Sequence, residues 1–262
     1  MTLTVGGARV HLVDEGTGVP TLFLHGNPDS SEIWAGVIAR LSPHHRCLAP
    51  DLPAFGHSTA PPDFDCSLEG LARFVDELNV AMGLTEPVNL VVHDFGGIFG
   101  LPWAIRHPEK VRRIVVLNTG IFSDYRWHFW ARVWRTPVLG ELSQLLTSRW
   151  MFARELKRGS SKLTRAQIDK TYDLLSPAMK KMILRLYRAT DPQSFKGWED
   201  RLLEVTAKVS TLVLWGDRDP YIAPRFADRF GAQQVVHFPD CGHWLQAEAP
   251  DRVADHLLEF LG

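Results

Sequence analysis

Three cysteines in 262 residues, Cys47, Cys66 and Cys241, are too few and too scattered for a disulfide framework or a zinc site. Free thiols in a reducing compartment follow, and with them an expected cytoplasmic location. The eleven histidines include no His-Glu-x-x-His pair, so no metal is expected. No stretch approaches the roughly 18–20 apolar residues of a membrane span. With no spanning run, no membrane partner is expected, and the first ten residues lack the basic start and apolar run of a secretion signal. There is no Walker loop, and Gly96-Gly97-x-x-Gly100 does not have the order of a dinucleotide fingerprint; no cofactor is called for.

Charge of neither sign dominates, with 29 Lys and Arg against 30 Asp and Glu. Its distribution is uneven. Residues 121–200 carry 15 basic and 8 acidic side chains, and the remainder 14 and 22. In the basic segment the charges alternate with apolar residues at helical spacing. That pattern describes a solvated helical face rather than a nucleic-acid surface.

What is present is an alternation of short apolar strands and amphipathic helices. Thr2 to Val5 and Ala8 to Val13 suggest a hairpin about Gly6-Gly7. Strands are expected at Thr21–Leu24, Cys47–Pro50, Val88–Val92, Val111–Leu117, Thr211–Trp215 and Val235–Phe238. Helices are expected at about Ser31–Leu41, Leu68–Met82, Ile98–Ile105, Pro224–Phe230 and Pro250–Leu261. Pro102 removes a hydrogen bond and should kink its helix. From about Ile121 to Lys196 the alternation stops, and the pattern is helical and Trp-rich, with a break at Ser176-Pro177. The fold class is therefore α/β, a mostly parallel sheet covered on both faces. Residues 1–120 and 201–262 form its core, and residues 121–200 an inserted helical cap.

The chain is organised around Leu90-Val91-Val92-His93-Asp94-Phe95-Gly96-Gly97. A buried strand runs into a helix with Asp94 on the turn between them, the shape of a nucleophile elbow. The match is partial. Gly96 supplies the small residue two after the turn, but Val92 stands two before it. The turn residue is a carboxylate. Free aspartate has a pKa of about 3.9, so Asp94 is ionised without help from a base, and the helix N-terminus favours that charge. Attack on an ester carbonyl would give an anhydride. Attack on a saturated carbon gives an ordinary ester that water can cleave. The expected electrophile is an sp3 carbon bearing a halide or a strained epoxide oxygen.

Polar residues follow two further strands: Gly216-Asp217-Arg218-Asp219-Pro220 and Cys241-Gly242-His243-Trp244. The order nucleophile, acid, histidine is that of the α/β-hydrolases. Together with His25-Gly26-Asn27-Pro28 and Asp51-Leu52-Pro53-Ala54-Phe55-Gly56-His57-Ser58, these motifs make the whole chain resemble that superfamily, in the branch of haloalkane dehalogenases and epoxide hydrolases. The resemblance implies Asp94 as nucleophile and His243 as the base that activates water. It implies Asp219 as the acid that fixes the imidazole tautomer, with Asp217 as its rival and Asn118 or Asp124 as a further position. Backbone N–H groups of Asn27 and Phe95 would form the oxyanion hole. The substrate would be small and apolar, and water the second reactant.

Two features separate the branches. Asn27 matches dehalogenases, where its side-chain amide would donate to a departing halide. Phe95 stands where dehalogenases carry the tryptophan that is their second donor. Trp127, Trp130, Trp134 or Trp150 would have to replace it from the cap. Epoxide hydrolases need two cap tyrosines, for which the candidates are Tyr187, Tyr172 and Tyr125. The dehalogenase reading is preferred on Asn27.

Overall fold

The computed structural model describes residues 1–262. β1 (Thr2–Val5) and β2 (Ala8–Glu15) form the expected hairpin, with Gly6 and Gly7 both at positive φ. β3 (Pro20–Leu24) is followed by a 3-10 turn at Ser31–Trp34 and α1 (Ala35–Leu41), then by β4 (Arg46–Pro50) and α2 (Leu68–Ala81). β5 (Val88–His93) leads into α3 (Phe95–Arg106), and β6 (Val111–Leu117) follows. After a helical insertion the chain returns as β7 (Thr211–Gly216) and β8 (Gln234–Phe238).

The insertion holds α4 (Phe129–Arg135), α5 (Leu139–Leu146), α6 (Arg149–Gly159), α7 (Arg165–Asp173), α8 (Pro177–Ala189) and α9 (Trp198–Thr206). Several of these short helices are started by their own sequence. Ser148 and Ser176 accept backbone N–H groups three residues on, and Thr164 with Gln167 makes a capping box. Pro177 opens α8, where its missing N–H costs nothing. The chain closes with α10 (Leu245–Glu248) and α11 (Pro250–Leu261).

The eight strands lie in the order β1-β2-β4-β3-β5-β6-β7-β8. The pairs β1–β2 and β2–β4 are antiparallel and all others parallel. Residues on alternate sides of β5 show how both faces are buried. Leu90 and Val92 join the larger core under α2 and α3, and Val91 joins the smaller core under α1 and α11. The parallel strands therefore end on one edge, which is where ligands bind in such sheets.

Two details differ from the sequence reading. Residues Pro224–Phe230 are a 3-10 helix rather than an α-helix. α9 was not anticipated, and it crosses the boundary expected at residue 200.

Candidate active site

β5 ends at His93, and Asp94 takes φ 49° and ψ −121° before α3 begins. This backbone conformation is sparsely populated for a non-glycine residue and costs on the order of 1–3 kcal/mol. It projects the carboxylate beyond the sheet edge. Gly96 permits the turn, because a Cβ there would run into the carbonyl of Leu24 at the end of β3.

Neighbouring strand ends supply the partners. From the loop after β3, the Asn27 N–H donates to Oδ1 of Asp94 at 2.7 Å. From the loop after β8, Nε2 of His243 lies 3.6 Å from Oδ2 of Asp94. From the loop after β7, Asp219 accepts from Nδ1 of His243 at 2.7 Å. Asp219 is fully engaged. The Asn118 amide donates to the same oxygen at 2.9 Å, and the Tyr221 and Ile222 N–H groups bind the other at 2.7 and 3.1 Å. Asn118 itself is fixed at the end of β6 by both the N–H and the carbonyl of Gly216. Asp217 instead pairs with the exposed His237 at 2.6 Å, and Asp124 with Arg229 at 2.7 Å. Neither reaches the imidazole.

The backbone of His243 is held on both sides. Its carbonyl accepts from Nε2 of His93 at 2.9 Å, and its N–H donates to the carbonyl of Gly159, the last residue of α6. His93 is the unusual residue directly before Asp94. Burial pushes its pKa down to about 3, so the ring is neutral and can serve as this donor.

Electrostatics follow from the same contacts. Burial favours the neutral form of Asp94, but the hydrogen bond and charge of His243, with the Asn27 N–H, outweigh it and hold the carboxyl below its usual range. Burial likewise opposes charge on His243. The carboxylates of Asp219 and Asp94 overcome it and push the imidazole up to about 10.

Above this group lies a cavity of about 120 Å³, roofed by the insertion. That is close to the roughly 150 Å³ of an apolar cavity known to hold benzene. Trp127, Trp130, Trp134, Tyr125 and Tyr187 all line it. Tyr187 is buried, its ring lies 4.8 Å from that of Phe95, and its hydroxyl is 3.5 Å from Nδ2 of Asn27, from which it accepts. No protein acceptor lies within reach of its own O–H proton. The other three tyrosines spend theirs: Tyr125 on the Tyr221 carbonyl, Tyr172 on the Thr147 carbonyl, and Tyr221 on Glu155. Nε1 of Trp127 is buried without a partner.

Two expected donors are misplaced. Tyr172 does not reach the cavity; its ring packs against Phe152 and under the guanidinium of Arg149. Trp150 points away and is exposed. Among the lining residues missed in the sequence are His128, Tyr221 and Trp244. His128 directly follows Trp127, and Tyr221 stands two after Asp219. Only that adjacency could have signalled them.

The model of the alpha/beta hydrolase fold family matches residues 19–250. The chain belongs to that family. It is 28% identical to haloalkane dehalogenase 2 of Mycobacterium tuberculosis, over 97% of this chain and 92% of that one. It is 27% identical to a cis-3-alkyl-4-alkyloxetan-2-one decarboxylase of Shewanella oneidensis, over 99% of this chain and 87% of the relative. Among solved structures, an ancestral haloalkane dehalogenase superposes with a TM-score of 0.81 at 25% identity, covering 100% of this chain and 99% of that one. The superfamily expected from the motifs is thus the one found, and the chain is an alpha/beta hydrolase enzyme.

Proposed function

We propose that this hydrolase uses Asp94 as a nucleophile to cleave a carbon–halogen bond in a small apolar substrate. The observation that carries the reading is a strained, negatively charged turn residue whose only close charged neighbour is a histidine already paired to a second carboxylate. With Oδ1 held by Asn27, Oδ2 attacks the sp3 carbon. The carbon–halogen bond breaks, and the halide departs with the bonding pair toward Nδ2 of Asn27 and the Tyr187 O–H. An alkyl ester remains on Asp94.

Ester formation removes the Asp94 charge, and with it one of the two carboxylates that raise the pKa of His243. The imidazole then releases its proton more readily to solvent, the proton that accompanies the departed halide in the overall reaction, and serves as a base. Its Nε2 takes a proton from water while the oxygen attacks the ester carbonyl carbon. In this reading the Asn27 and Phe95 N–H groups receive the resulting oxyanion, the latter as a first-turn donor of α3. On collapse the imidazolium gives its proton to the departing alkoxide, the alcohol is released, and the proton of the new carboxyl passes to Nε2 of His243, restoring the Asp94 carboxylate. In this reading, residues 121–200 act as the lid that excludes bulk water.

A second reading, epoxide opening, is favoured by the free proton of Tyr187. Against it, no second tyrosine hydroxyl is available. Relatives named haloalkane dehalogenase add support for the first. The test is a halide-release assay beside an epoxide-opening assay on small substrates. Stoichiometric halide and alcohol are expected. Diol formation with no halide turnover would transfer the assignment to the epoxide reading.

A further inference from the structure

Large apolar side chains exposed on a monomer are usually scattered singly. Here eight of the eleven lie between residues 129 and 151. The centre of this patch is α5, which is amphipathic in the inverted sense. Gly140 and Gln144 are buried, and Leu139, Leu142, Leu145 and Leu146 face outward. At a helical turn of 100° per residue those four leucines fall within about a 120° arc. Leu145 and Leu146 are 77% and 68% exposed, and Trp150 at the start of α6 is 65% exposed.

The segment that carries the patch is rich in basic residues. Residues 126–158 hold seven Lys and Arg against two acidic residues. Both acids are neutralised, Glu141 by Arg188 and Glu155 by Arg158, while Arg135 pairs with Asp191 and Arg149 with Asp169 and Asp173. Arg126, Arg132 and Arg154 are exposed with no carboxylate in ion-pair range, and Arg154 lies over the ring of Trp150 at 5.6 Å. The patch is also continuous with the cavity. Met151 is exposed and lines it, and Thr147, between α5 and α6, lines it as well.

The geometry points to an anionic lipid surface as the occupant of this face, with the leucines and Trp150 at the boundary between headgroups and acyl chains. A second copy fits poorly, since two-fold self-contact would set one basic segment against another. An apolar face with unpaired cations around it is the pattern of a helix lying in a membrane interface. The expectation of no membrane partner rested on the lack of a spanning run. No helix here is long and apolar enough to cross a membrane, but this surface needs only to rest on one. It would open the cavity mouth toward the phase in which apolar substrates collect. The inference does not depend on which bond Asp94 attacks.

Vesicle flotation tests it, using phosphatidylcholine with roughly one-third phosphatidylglycerol against phosphatidylcholine alone. Binding to the anionic vesicles at low salt, release at high salt and a blue shift of tryptophan emission are expected. Leu142→Ser with Leu145→Ser should weaken binding about tenfold or more, with the melting temperature and turnover of a water-soluble substrate unchanged. Arg132→Gln with Arg154→Gln should weaken it on anionic vesicles only. Failure to bind either vesicle at low salt would overturn the inference. So would a solution dimer that the paired leucine variant splits, with vesicles left unbound.

Discussion

Oδ2 of Asp219 accepts two hydrogen bonds at once, from Nδ1 of His243 at 2.7 Å and from the Asn118 amide at 2.9 Å. The two aspartates of this loop are thereby distinguished, since Asp217 is engaged by His237. Asp219→Asn leaves the loop's shape but presents an amide where the imidazole N–H needs an acceptor. Turnover should fall by about three orders of magnitude or more, with the fold intact by circular dichroism. Asp217→Asn should change turnover little. Steady-state kinetics on both variants decides the assignment, and the reverse ranking would sink it.

The division of labour proposed for Asp94 and His243 predicts a reaction that stops halfway. His243→Phe should still form the ester and fail to hydrolyse it. Intact-protein mass spectrometry should then show the added alkyl group on Asp94. In the native enzyme, a single turnover in heavy-oxygen water should label Asp94 and leave the product unlabelled. Labelled product with unlabelled enzyme would mean that water attacks the substrate directly.

The proposed reading assigns leaving-group recognition to Asn27 and Tyr187. Bromide should quench tryptophan emission, given the indoles that line the cavity. Asn27→Ala should weaken bromide binding by about 1.5–3 kcal/mol, the range for a hydrogen bond to a charged group. Tyr187→Phe should weaken it less if Trp127 also donates, and double substitution with Trp127→Phe separates the two. Quenching that none of these variants alters would place the halide elsewhere.

Asp29 gives a stability prediction. It is buried, and it accepts from the Trp244 indole at 2.9 Å. Burial raises its pKa to about 7. A carboxyl whose folded pKa lies above its unfolded value holds its proton more tightly when folded, so stability falls as pH rises between about 4 and 7. His243 acts in the same direction at higher pH. Its pKa is raised to about 10, so its contribution is complete below about 6.5 and is lost as pH rises toward 10. Asp29→Asn keeps an acceptor for the indole and removes the charge. Melting temperature measured from pH 4 to 7 should decline less steeply in this variant than in the native chain. Equal slopes would show that Asp29 ionises freely.

The strands and the residues at their ends were legible because each obeys a local rule: a short β-branched run, then glycine and a polar residue. Asp94, Asp219 and His243 stand out for that reason. Inside the insertion the rule fails. Tyr125, Tyr172 and Tyr187 look alike in sequence, and only packing decides that one hydroxyl keeps its proton while the others give theirs to Tyr221 and Thr147. His128 and Trp244 were unreadable because an aromatic residue at helical or loop spacing looks like core. The leucines of α5 carry the same ambiguity. Periodicity gives an apolar stripe without saying which side of the helix finds a neighbour.

Gly159 belongs to the insertion, yet it helps to set the position of His243, the proposed base. Its carbonyl takes the N–H of His243, and a Cβ on it would collide with the rings of Trp244 and Tyr221. The part of the chain that shapes the cavity and the part that would activate water in the proposed mechanism are therefore not separable modules. Exchanging α4 to α9 for the corresponding segment of another hydrolase would change which molecules enter. It would also move the imidazole, so altered selectivity and a slower second step would be inherited together.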